Sequence, residues 1–153
     1  MNQSWFDEMQ QELEQRIPEK NVQAEGLLDK KILALLAELG KLVGQNDYLV
    51  FESSEKKRLK EFSLTDYVQG LYCVLAIGSE LGFQEDIRME KAIHNMEQDL
   101  DNQFLHVFEG IMLLRAKRTV GIYRILFNHY LHLGILLNFT DEQVEGELIR
   151  QNG

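Results

Sequence analysis

Glu38 and Asp66 are acids set into apolar stretches, and each has a polar companion three residues on, Lys41 after Glu38 and Gln69 after Asp66. Side chains three apart on a helix share a face, so each pair presents its polar atoms to the same side. Carboxylate oxygens are hard ligands of the kind magnesium takes, and Gln69 can add a neutral carbonyl oxygen. Lys41 does the opposite, because its ammonium repels a cation and pairs with an acid. By residue type alone, the four support a weak divalent-cation site or an ordinary interhelical salt bridge of Lys41 with Glu38 or Asp66.

Other chemistry-bearing residues are sparser. Lys56, Lys57, Arg58 and Lys60 form the dense basic run of the chain, which suits either a triphosphate or a solvated surface. His129 and His132 have the three-residue spacing of a transition-metal pair, but no third Cys or His is expected beside them, which favours a core edge or interface. Trp5 reads as a packing anchor or interface contact. Cys73 is the single cysteine, so no internal disulfide can form, and its apolar surroundings give it the role of a small hydrophobe. Gly-rich phosphate loops, a Ser-His-Asp order and Cys-x-x-Cys pairs are absent from the sequence.

The elements that position these residues read as helices throughout. Leu28, Ile32, Leu35, Leu36 and Leu39 recur at three- and four-residue steps around Glu38. Leu33 and Leu42 widen that stripe, which predicts a helix surrounded by others. Ser4, with Asp7 three residues on, caps a first amphipathic helix that Pro18 ends. Gly44 and Asn46 stop the helix of Glu38. Ser63 is the N-cap candidate for the helix of Asp66 and Gln69, which stops near Gly82. A short helix is expected around Met89, Ile93 and Met96, followed by a polar break at Gln98 to Asn102. Two strongly apolar helices follow, around Phe104 to Leu114 and Ile122 to Leu137, separated by the turn at Arg115 to Arg118. Thr140 with Gln143 has the capping-box pattern for a terminal helix. Strand alternation of useful length is missing. The expectation is an all-α bundle of about six helices forming one domain over residues 1–153.

These motifs resemble the dimeric all-α dUTPases, within the all-α nucleoside triphosphate pyrophosphohydrolases. The densest match is Leu28 to Gly40, followed by Tyr67 to Gly70 and Ala76 to Phe83, with weaker matches at Tyr130 to Gly134 and Asn138 to Gln143. The family carries a Glu-x-x-Glu on one helix and a Glu-x-x-Asp on the next, and the four carboxylates bind magnesium. Here those positions hold Glu38, Lys41, Asp66 and Gln69. The chain also has Gly44-Gln45 where the family has an Asn-Glu pair, and it ends at Gly153 where a tail rich in Asn, Arg and Gly begins. The resemblance implies an all-α bundle, a homodimer and a uracil-nucleotide (dUTP or dUMP-like) ligand. Glu38 and Asp66 would be the catalytic and metal positions, with Lys41, Gln69, Lys56 and Arg58 toward substrate.

Magnesium would neutralise phosphate oxygens and lower the pKa of the attacking water. Exchanging a carboxylate for Lys41 changes the local charge by two units, so a magnesium cluster is disfavoured and the cofactor is Mg²⁺ if the protein is active, or none. The expectation is a dUTPase-like homologue with a degenerate site and weak or no hydrolysis, in a binding or regulatory role. Its alternative is an active dUTP or other NTP diphosphatase. A net charge of −9 argues against a nucleic-acid binder, since phosphate contacts need a basic face. With no signal-peptide pattern and no apolar run of spanning length, a cytoplasmic protein without membrane attachment is expected.

Overall fold

Five α-helices and a short 3₁₀ turn are described from end to end, and Ser4 and residues 6–8 are helical as well, so Ser4 lies within the first helix and is not its cap. The structure is a computed structural model that describes residues 4, 6–8, 24–45, 48–49, 62–86 and 97–152. The expectations for Trp5, Pro18, the basic run that includes Lys56 and Arg58, and Met89 to Met96 lie outside the described residues. In chain order the helices are α1 (Ala24–Val43), α2 (Leu64–Leu81), α3 (Leu100–Ala116), α4 (Val120–Leu136) and α5 (Asp141–Asn152), with the 3₁₀ turn at Gln84–Asp86 after α2. Among the described residues no strand is present, and no single helix is long and apolar enough to cross a membrane.

Helix α1 buries Leu28, Ile32, Leu35, Leu39 and Leu42, a single stripe running the length of the helix. Leu33, expected to widen that stripe, is instead 63% exposed. Its position lies a third of a turn off the buried line, on an outer face shared with Ala34, Ala37 and Gly40 that is exposed along its length. Helix α1 is thus covered on one side.

Helix α2 is the one that is surrounded. It buries Tyr67, Val68, Leu71, Val74, Leu75 and Ile77, positions that together go most of the way round the helix. It packs against α1, α4 and α5. Its ends are set locally: the Ser63 hydroxyl accepts from the Asp66 amide at 3.1 Å, and Gly82 closes the helix with φ 79, the left-handed conformation glycine adopts without a Cβ clash.

Helices α3 and α4 form an antiparallel hairpin through a three-residue link. Helix α3 begins earlier than the polar break at Gln98 to Asn102 suggested, because Asp99 caps it by accepting from the Asn102 amide at 3.0 Å. Thr119 caps α4 in the same way, accepting from Ile122 at 3.3 Å. At α5 the Thr140 hydroxyl accepts from the Gln143 amide at 3.1 Å, and the Gln143 side chain accepts from the Thr140 amide at 2.8 Å. That is the reciprocal capping box the sequence predicts.

Candidate functional site

Register on α1 and the cap of α2 bring the acids together. Glu38 and Lys41 are three apart in the last turns of α1, so they share a face, and Gln45, two residues past its end, reaches the start of α2 beside them. Asp66 sits in the first turn of α2, where the free amides and the helix dipole favour a carboxylate. The Lys41 ammonium lies between the two acids, 3.3 Å from Asp66 Oδ1 and 3.5 Å from Glu38 Oε2. The carboxylates are about four-fifths buried, whereas the Lys41 side chain is 56% exposed. Its pKa is raised, first by the hydrogen bond to Asp66 and then by the charges of Glu38 and Asp66.

Gln45 completes the arrangement. Its Oε1 accepts from the Ser63 amide at 2.9 Å, while its Nε2 donates to Asp66 Oδ2. Each oxygen of the Asp66 carboxylate is therefore engaged, one by Lys41 and the other by Gln45. Sequence reasoning noted Gln45 merely as a departure from a family pair. The signal was its spacing, seven residues after Glu38 and four after Lys41. Gln69 lies one turn beyond Asp66 with an exposed side chain. Glu38 Oε2 is buried and makes no hydrogen bond, so the Lys41 charge is what compensates it.

The wall behind these acids is apolar and protonated. Cys73 is partly buried against the core, and burial, reinforced by the charge of Glu38, pushes its thiol up to about 11. The thiol therefore stays neutral and unreactive at ordinary pH. Tyr130 is fully buried, and its hydroxyl is raised well above the usual tyrosine range, chiefly by desolvation, with Tyr67, Cys73, Glu38 and Asp66 adding to it. A second link between α1 and α2 lies farther along, where Lys31 Nζ meets Glu80 Oε1 at 2.8 Å.

A family profile described as dUTPase matches residues 2–153. The chain belongs to the all-α dUTPase family. Neither a curated protein nor a solved structure matches it. Membership in the dUTPase family agrees with the all-helical architecture, and it makes a dUTPase-like nucleotide pyrophosphohydrolase the functional class to which this site is compared. Among the described residues, no group of three or more His, Cys, Asp or Glu side chains could hold a metal ion. The histidines depart from expectation in one respect: His106 stacks on His129 with ring centroids 5.2 Å apart, so a third imidazole does lie beside the His129 and His132 pair.

Proposed function

We propose that this dUTPase-family chain, a single domain over residues 1–153, is a nucleotide pyrophosphohydrolase homologue with a degenerate magnesium site. Hydrolysis is weak or absent, and the protein acts by binding or regulation. The observation that carries this is the Lys41 ammonium, 3.3 Å from Asp66 and 3.5 Å from Glu38. Magnesium requires oxygen ligands at about 2.0–2.1 Å in near-octahedral geometry. Two carboxylates already held by a lysine, and in the case of Asp66 by Gln45 as well, do not fit that demand. The lysine supplies from within the chain the positive charge a metal would bring.

The nucleotide expected at such a site is dUTP or dUMP-like, with Gln69 and Lys41 on its side and Lys56 and Arg58 outside the described residues. A homodimer and a cytoplasmic setting in nucleotide metabolism complete this proposal. One observation favours a second reading, an active diphosphatase releasing a nucleoside monophosphate and pyrophosphate. The Lys41 side chain is 56% exposed, so its ammonium can swing into water and leave Glu38 and Asp66 facing each other.

The deciding experiment follows release of dUMP and pyrophosphate from dUTP with Mg²⁺ or Mn²⁺, with the other deoxynucleotides alongside. The expected result is little or no turnover and no calorimetric heat of magnesium binding. Robust turnover lost in Glu38→Ala would establish the active reading and overturn the degenerate one.

A further inference from the structure

Apart from the tyrosines, Gln103 and His132 are the buried polar side chains of the described residues, and they belong to one corner of the α3–α4 hairpin. Gln103 Nε2 donates to the backbone carbonyl of His129 at 2.8 Å. A carbonyl can only accept, so the nitrogen end of the amide must face α4. That same nitrogen lies 3.3 Å from His129 Nδ1, which must therefore accept and carries no proton. At the other end, Gln103 Oε1 is buried without a hydrogen-bond partner. Turning the amide around would gain nothing there and would set two oxygens against each other at His129. An imidazolium offers no acceptor to the amide as it stands, and the turned amide that could accept from Nδ1–H would lose the bond to the His129 carbonyl.

His106 has the opposite surroundings. Its Nε2 lies 3.4 Å from Glu97 Oε1 and its Nδ1 3.5 Å from Glu109 Oε1. The imidazolium is the form that offers a donor to each carboxylate. The two rings are stacked at 5.2 Å with 18° between their planes, so two positive charges there would repel, screened in part by solvent at the 40% exposed His106 side chain. His132 closes the corner by pointing Nε2 at the backbone carbonyl of Glu97, so the residue that pairs with His106 is also tied to α4.

We propose that the contact between Gln103 and His129 is a proton switch. A proton forced onto His129 Nδ1 removes the acceptor that Gln103 Nε2 faces, loosens the stack with His106 and frees the first turns of α3 from α4. Among the described residues, the charged and titratable groups facing His129 are His106 and Glu109 from α3, His132 from α4 itself, and Glu97, through His106, from the segment entering α3. Burial holds the His129 pKa down, His106 and His132 add to this, and Glu109 opposes it.

The test is a titration of the intact chain from about pH 8 to about pH 5, following ring nitrogen shifts of each histidine and the side-chain amide of Gln103 by NMR. The Gln103 amide and the backbone amides of 100–107 are expected to move at the His129 midpoint. An unmoved Gln103 signal, or no titration of His129 short of global unfolding, would each overturn the switch. Gln103→Leu should shift the His129 midpoint upward, and no shift counts against the proposal. Should that variant fail to fold, His106→Phe keeps a ring in the stack and must raise the same midpoint.

Discussion

The hydroxyl of Tyr67 donates to the backbone carbonyl of Tyr130 at 2.8 Å, and the hydroxyl of Tyr130 donates to the carbonyl of Tyr67 at 2.6 Å. The rings stack with centroids 4.8 Å apart. Each tyrosine thus crosses the gap between α2 and α4 in the opposite direction, and each ends over a glycine of the facing helix. A Cβ on Gly70 would lie 2.0 Å from the Tyr130 hydroxyl, and one on Gly134 would lie 2.4 Å from that of Tyr67. Tyr123 repeats the device, donating to Val74 O at 2.8 Å over Gly78. Buried hydroxyls need partners, and here the helix backbones supply them because the glycines let the rings come close. Tyr130 is also close enough to Glu38 and Asp66 for their charges to raise its hydroxyl pKa further.

Gly70→Ala and Gly134→Ala should therefore destabilise the fold. The clash is with a rigid ring whose hydroxyl is itself anchored, so overpacking of about 1–3 kcal/mol is expected. Gly146→Ala on α5 is the control, since a Cβ there meets nothing within 4 Å. It should stabilise by roughly 0.5–1 kcal/mol through helix propensity. Urea unfolding of the three variants checks this. Equal stability of Gly70→Ala and the parent would mean that the ring moves aside at no cost.

Tyr67→Phe separates the hydrogen bond from the ring. It leaves the stack and the glycine notch intact and removes one buried donor. A loss of about 1 kcal/mol is expected, the usual net value of such a bond. A loss of several kcal/mol would show that the two hydroxyls act as a unit, and the double variant with Tyr130→Phe would then be non-additive.

Acid titration should report on the junction between α5 and the start of α2. Arg150 Nε donates to Glu147 Oε1 at 3.1 Å, and Gln151 and Thr65 reach its other oxygen. Hydrogen bonds from Arg150 and then Gln151 lower the Glu147 pKa to about 2. A carboxyl depressed in the folded state binds its proton more readily when unfolded. Its contribution is therefore complete above the ordinary value of 4.5 and disappears as pH falls toward about 2. Stability measured through that window should fall less steeply in Glu147→Gln. The effect should shrink in salt, because the Arg150 side chain is largely exposed.

How much of this was legible in the sequence depends on distance along the chain. The caps at Ser63 and Thr140 and the stop at Gly82 are local, fixed by side chains that bond within three or four residues, and they were readable. The three tyrosine–glycine contacts were not, since nothing in the spacing of Gly70 says which ring on a helix some 60 residues away will fill it. His106 was missed as the neighbour of His129 for the same reason, because the α3–α4 register is set by packing such as Leu126 against Gly110. Glu38 and Asp66 were singled out because their spacing with Lys41 and Gln69 resembles a family pattern, and the structure sets Lys41 between the two acids. Gln45, whose two contacts are with residues 18 and 21 positions farther along the chain, had its spacing alone to give it away.

Lys41 offers the sharpest test of how the candidate site is built. Its raised pKa means that the ion pairs with Asp66 and Glu38 are fully formed below the ordinary lysine value of 10.5 and are lost as pH rises through the higher folded value. Lys41→Ala removes the cation and leaves two neighbouring, largely buried carboxylates, one with an oxygen that has no other compensation. The melting temperature should drop at pH 7 and recover as the pH is lowered enough to protonate one acid. Magnesium should now raise the melting temperature of the variant and leave the parent unchanged, because the vacated space has two hard oxygen ligands. Lys41→Glu combined with Gln69→Asp should bind magnesium more tightly still, with a gain of about 2.7 kcal/mol in stability once the ion is a hundredfold above its Kd. A double variant that binds no more magnesium than the parent would mean that the faces of α1 and α2 do not meet as four ligands, and the derivation of this site from a metal centre would be wrong.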